Sequence, residues 1–154
     1  MWPHSMKHVK KSVLLWYSAH EMYALVTDIA AYPSFLPWCD RAELLDQGDD
    51  SVVARLHLSY AGLGHNFTTR NAQVADRSVV MALVEGPFSD LDGTWLFTPI
   101  ETPDNSPACR IEFDIRYKFS SKALEAVLSP VFASVADTFV DRFVTRAEHV
   151  YGPR

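Results

Sequence analysis

The chain has 154 residues, 48% of them hydrophobic and 21% charged, which fits one globular domain with a real core and excludes a disordered or low-complexity chain. A domain of that length buries about two thirds of its unfolded surface. The formal charge of -5 argues against DNA, or any nucleic acid, held by general phosphate neutralisation, and leaves room only for a local basic patch.

At the N-terminus, Lys7, Lys10 and Lys11 precede the apolar run Val13-Leu14-Leu15-Trp16-Tyr17. That run is too short for the core of a signal peptide, and no small-residue cleavage pattern comes after it. No stretch reaches the ~20 apolar residues of a membrane span. Cys39 and Cys109 lack metal-ligand spacing and read as free thiols of a reducing, cytoplasmic compartment. Residues 1–8 are expected to be a leader, and 9–151 the domain.

Val9 to Tyr17 reads as the first strand. Ser18 with Glu21 three residues on is a capping box, so a helix over His20–Val26 is expected. Asp28-Ile29-Ala30 restarts a short helix to about Tyr32, and Pro33 and Pro37 limit how far any helix can continue. The segment Tyr32-Pro33-Ser34-Phe35-Leu36-Pro37-Trp38 is therefore expected to be an aromatic, proline-stiffened elbow. The period then changes to two. Strands are expected at Arg41–Leu45, Ser51–Tyr60, His65–Val74, Arg77–Val84 and Leu91–Pro99, with turns at 46–50, Gly62–Gly64, Ala75-Asp76 and Gly86-Pro87. The clearest strand is Cys109–Phe119, where Cys109, Ile111, Phe113, Ile115, Tyr117 and Phe119 alternate with charged residues.

Ser121 to Val150 is the one long helical pattern. Leu124, Leu128, Val131, Phe132, Val135, Phe139, Phe143 and Val150 share a face, and Gly152-Pro153 stops the helix. At 1.5 Å per residue it spans roughly 40 Å. Pro130 removes a backbone donor and crowds Ala126, so a kink is expected there. The fold class is thus α+β: a curved, seven-stranded antiparallel meander gripping a long C-terminal helix.

The order of elements, with Tyr32-Pro33-Ser34-Phe35-Leu36-Pro37-Trp38-Cys39, Phe67-Thr68-Thr69-Arg70-Asn71, Gly86-Pro87-Phe88, Leu91-Asp92-Gly93-Thr94-Trp95-Leu96-Phe97-Thr98-Pro99 and Cys109-Arg110-Ile111-Glu112-Phe113, resembles the coenzyme Q-binding START-like family. It is most similar to the branch of bacterial ribosome association toxins, filed with polyketide cyclase/dehydrase and lipid transport proteins. The resemblance covers about Val9 to Tyr151. It implies a helix-grip (START/Bet v 1-like) fold and a tunnel between sheet and helix that holds ubiquinone or a related isoprenoid lipid as bound ligand, in support of respiratory electron transfer. As an alternative it implies a toxin that binds the large ribosomal subunit and blocks subunit joining, a reading that the acidic net charge disfavours.

Strand parity and the helix stripe point to aromatic cavity walls in Trp95, Phe97, Phe113, Tyr117, Phe132 and Phe139; with Phe35 and Trp38 of the elbow and Phe67 these are the ligand-binding candidates. Tyr32, Phe35, Leu36 and Trp38 are expected at the cavity mouth as a patch that touches the inner membrane transiently. No catalytic residue is assigned. A cyclase-like enzyme would need inward polar groups such as Arg55, Asn71 or Tyr117, and spacing supplies no acid–base pair. The six histidines form no metal motif, and no metal or required cofactor is expected. For ribosome docking, Lys7, Lys10 and Lys11 would have to gather with Arg110, Arg116 or Lys118 on one outer face; the plainer reading is that these are the solvated face of the last strand.

Overall fold

A computed structural model describes residues 6–60 and 62–154. Most of the expected leader, residues 1–5, lies outside them, but its last part does not behave as a leader. Strand β1 (Lys7–Leu15) already includes Lys7 and His8, paired with Tyr117 and Arg116, so the first strand begins two residues before Val9 and ends before Trp16.

The other strands are β2 (Cys39–Gln47), β3 (Ser51–Tyr60), β4 (Leu63–Val74), β5 (Ser78–Glu85), β6 (Phe88–Pro99) and β7 (Cys109–Phe119). They form one seven-stranded antiparallel sheet in the order β1-β7-β6-β5-β4-β3-β2. Consecutive strands from β2 to β7 are neighbours, as short turns dictate; only β1 crosses to the far edge, to lie beside β7. Between β1 and β2 come α1 (Ala19–Thr27) and a 3-10 turn (Ile29–Ser34). The capping box is made in full: Glu21 N donates to Ser18 Oγ at 3.0 Å, and Ser18 N donates to Glu21 Oε1 at 2.9 Å.

Helix α2 (Lys122–Tyr151) runs unbroken through Pro130, and Ser121 caps it, accepting from Leu124 N at 3.1 Å. It is long and on average apolar enough to cross a membrane, although Glu125 and Asp137 keep its uninterrupted apolar run well short of the ~20 residues of a span. Its apolar face is instead laid on the sheet: Leu128, Phe132, Val135, Phe139 and Phe143 are buried, with Ala136, Val140 and Ala147 beside them. Val150, expected on that face, is exposed; at this end of the helix the inward positions are Ala147 and Tyr151, which packs against Tyr17. Lys7 to Glu125 (3.5 Å) and Lys11 to Asp137 (2.8 Å) tie β1 to the helix from the edge.

Two groups of rings make the interior. One centres on Trp95, whose ring lies 4.6 Å from Phe113, 5.6 Å from Phe139 and 5.4 Å from Phe143. The other centres on Phe132, 4.6 Å from Tyr117, 5.0 Å from Phe88 and 6.0 Å from Phe67. Edge-to-face pairs of this kind add about 0.5–1.5 kcal/mol each beyond area burial.

The chain end locks the helix to its beginning. Tyr17 Oη donates to Gly152 O (2.7 Å), Tyr151 Oη donates to Glu21 O (2.9 Å), and the Arg154 guanidinium grips both Glu21 oxygens at 2.8 and 3.0 Å. The hydrogen bond from Arg154, with further donation from Ser18, holds the Glu21 carboxyl below its ordinary value of 4.5 against the opposing effect of burial.

Phe143, with no exposed surface and four ring neighbours, is expected to cost about 3–5 kcal/mol in urea unfolding when changed to Ala. Val127→Ala on the exposed side of the same helix should stay within about 0.5 kcal/mol. Glu21 has a folded pKa below its unfolded value, so its contribution is present in full above about pH 4.5 and is lost as the pH falls through the folded value. Glu21→Gln should therefore flatten the acid limb of a stability–pH curve and leave its shape above about pH 6 unchanged.

Candidate functional site

Between the two ring groups the inner face of the sheet and α2 do not meet completely. They leave a cavity of about 60 Å³. The 3-10 turn supplies Tyr32, the elbow Trp38, β4 Phe67, β7 Phe113, and α2 Phe132 and Phe139. Phe139 touches Tyr32, Trp38 and Phe113, whereas Phe132 touches Phe67, so the void lies where one aromatic group ends and the other begins. Leu56, Ile115, Val135 and Ala136 fill in the aliphatic wall.

Two local irregularities shape this wall. The register slips between Thr68 and Thr69 on β4 against β5, a bulge that re-aims the strand beside the site. Gly86 takes φ +155°, and any Cβ there would stand 2.7 Å from the Cβ of Phe67, so only glycine lets β5 turn into β6 against that ring.

The polar content of the cavity is small. Thr69 and Asn71, neighbours on the inner face of β4, are both buried, and Thr69 Oγ1 donates to Asn71 Oδ1 at 2.8 Å. Tyr32 Oη donates to Val26 O, and burial pushes its pKa up. Lysine, arginine, histidine, aspartate and glutamate are absent from the cavity wall among the described residues.

Five of the nine ring candidates from the sequence line this void: Trp38, Phe67, Phe113, Phe132 and Phe139. The other four do not. Trp95 and Phe97 stack on each other at 6.1 Å inside one ring group, Tyr117 is packed between Phe88, Phe119 and Phe132 in the other, and Phe35 lies toward the surface with the Arg146 guanidinium 5.0 Å above its ring. Parity places Trp95, Phe97 and Tyr117 on the inner face but says nothing of their position along the strand, and Phe35 lies in no strand. Tyr32, Thr69, Ile115 and Ala136 line the void without being among the candidates. The signal for Thr69 is its place between Phe67 and Asn71 on one strand face.

The elbow is corrected as well. Tyr32, Leu36 and Trp38 are 6%, 1% and 4% exposed and Phe35 is half-buried, so the segment turns its rings inward and offers prolines, not a membrane-touching aromatic patch, to solvent. The expected basic cluster is divided. Lys7 and Lys11 face α2 in ion pairs, while Lys10, Arg110, Arg116 and Lys118 lie on the opposite face among Glu112 and Asp114.

Among the described residues, neither Arg55 nor either cysteine lines the cavity, and the Tyr32 hydroxyl is engaged with Val26 O. Arg55 points outward, donating to Thr68 Oγ1 (3.1 Å) and Glu85 Oε1 (2.8 Å). Burial pushes both cysteine thiols up to about 11, so they are protonated and weakly nucleophilic at neutral pH.

A cavity of 60 Å³ is smaller than the 150 Å³ or so that admits benzene and far below the roughly 300–1,000 Å³ of ordinary ligand pockets. Anything larger than a few atoms requires α2 or the elbow to move outward.

The family described as Polyketide cyclase / dehydrase and lipid transport matches residues 15–144. The ribosome association toxin RatA of Vibrio cholerae is 40% identical over 147 residues, covering 96% of this chain and 99% of that protein. The mitochondrial coenzyme Q-binding protein COQ10 homolog B of Xenopus laevis is 26% identical over 145 residues, covering 92% of this chain and 58% of that protein. A START superfamily protein from Mycobacterium smegmatis has the same fold, with a TM-score of 0.75, 17% identity, and coverage of 93% of this chain and 98% of that one. The chain belongs to the polyketide cyclase/dehydrase and lipid transport family, in the START-like branch that includes the RatA ribosome association toxins.

Proposed function

We propose that this protein is a ribosome-associating toxin of the RatA type, binding the large subunit and opposing subunit joining. The observation that supports this reading is identity of 40% spread over nearly the full length of both chains. The surface chemistry bears on how it would dock. The net charge is -5, and the basic residues of the outer face are interleaved with acidic ones. Docking by shape and apolar contact, on ribosomal protein or on few phosphates, fits that surface better than broad phosphate neutralisation.

Sucrose-gradient sedimentation with purified subunits tests the reading. The protein is expected in the large-subunit fractions, and its overproduction should raise free subunits at the expense of joined ribosomes. Protein that stays at the top of the gradient would overturn the proposal. Raising salt from about 50 to 200 mM should weaken association by less than about tenfold, against the 10³–10⁵ expected of a binder with many phosphate contacts.

A second reading rests on a different observation, the apolar cavity between sheet and helix. It supports binding of a hydrophobic small molecule, ubiquinone or another isoprenoid lipid, with a role in respiration, and the distant COQ10 relative points the same way. Each buried CH₂ of a tail would contribute about 0.8 kcal/mol. The absence of lysine, arginine, histidine, aspartate and glutamate from the cavity wall, among the described residues, favours a binding role over a cyclase-like enzyme. Ala136 lines the void and a phenyl ring is larger than that void, so Ala136→Phe should abolish uptake of ubiquinone from vesicles while costing the roughly 1–3 kcal/mol of overpacking. Unchanged uptake in that variant would remove the cavity from the account.

A further inference from the structure

The cavity has a property that an apolar core does not require. Trp38, 4% exposed, lines it, and the indole Nε1–H of Trp38 is buried without an acceptor among the described residues. Buried donors of this kind are few in native proteins, and each costs stability until something accepts from it. In the same wall, the Asn71 carbonyl oxygen already accepts from Thr69, and among the described residues the structure records no acceptor for its amide N–H₂. Both groups are neutral donors. Among the described residues, no cationic side chain lines the cavity to hold a carboxylate or phosphate, and no carboxylate lines it to hold an amine.

We infer that Trp38 and Asn71 form a donor pair that selects, among apolar molecules, uncharged ones carrying a carbonyl oxygen, whether that oxygen belongs to a ketone, an ester or a quinone. The inference rests on the apolar-ligand reading of the cavity and adds to it a chemical selectivity. A hydrocarbon tail alone would leave both donors unmet when the helix closes over it. A fatty acid would have to take up a proton or bury an uncompensated carboxylate. A neutral carbonyl has two lone pairs and satisfies donors without bringing a charge.

The test uses three probes of one chain length, 2-nonanone, nonane and nonanoate, added to the ¹⁵N-labelled full chain. The Trp38 indole cross-peak, identified by its loss in Trp38→Phe, should move downfield with 2-nonanone and not with nonane. By competition, 2-nonanone should bind more tightly than nonane, and Trp38→Phe and Asn71→Leu should each reduce that preference by roughly 2- to 10-fold. Should either variant fold poorly, the indole shift in the wild-type chain still decides the matter. Equal binding of ketone and alkane, or a preference that survives both substitutions, would overturn the donor pair while leaving an unselective apolar site in place. Tightest binding of nonanoate would overturn it in favour of an anion site. If none of the three perturbs the cavity residues, the apolar-ligand reading falls together with the inference.

Discussion

Phe139 is where the structure is held together. Its ring meets Tyr32 from the 3-10 turn, Trp38 from the elbow, Trp95 and Phe113 from the sheet and Phe143 from its own helix, at centroid distances of 5.2 to 6.4 Å. A long helix on a single antiparallel sheet must bury one face of each, and the elbow covers the side that the sheet cannot reach. Because the 3-10 turn, the elbow, β6, β7 and α2 meet at this ring, the seam next to it is also where imperfect closure appears. The cavity begins on one side of Phe139 and ends at Phe132, two helical turns toward the N-terminus of α2.

Much of the architecture is legible in the sequence because local rules and the global fold agree. The alternation from Cys109 to Phe119 is realised residue by residue in β7, and the capping box at Ser18 and Glu21 is made as its spacing implies. The seven-stranded order comes from short turns, and even the crossover of β1 is natural once the last strand lacks a neighbour on its free edge. The start of β1 is harder to place, because Lys7 and His8 look like a solvated tail. They are strand residues whose side chains find Glu125 and Asp114.

The site is less legible, for a physical reason. Periodicity tells which face a side chain occupies, but a void is defined by position along three elements at once. Trp95, Phe97 and Tyr117 have the right face and sit among other rings; Thr69 has the right position and lacks any sequence signal strong enough to single it out, and Tyr32, expected at the mouth, is part of the buried wall. The elbow is deceptive because four apolar residues interrupted by Pro33 and Pro37 look alike whether they face water or a core. Only the arrival of Phe139 and Phe143 from α2 turns them inward. The same seam also explains why fold and family do not by themselves settle activity: the helix-grip frame is shared by binding proteins and enzymes, and what differs is the handful of side chains that face the void.

On this account the seam between α2 and the sheet is an adjustable site and not a finished core. Mass spectrometry of the apolar extract from gently purified protein addresses that point directly. A neutral, carbonyl-bearing molecule at close to one per chain is the expected result. Protein that purifies empty, and stays empty after exposure to a total membrane lipid extract, would contradict it.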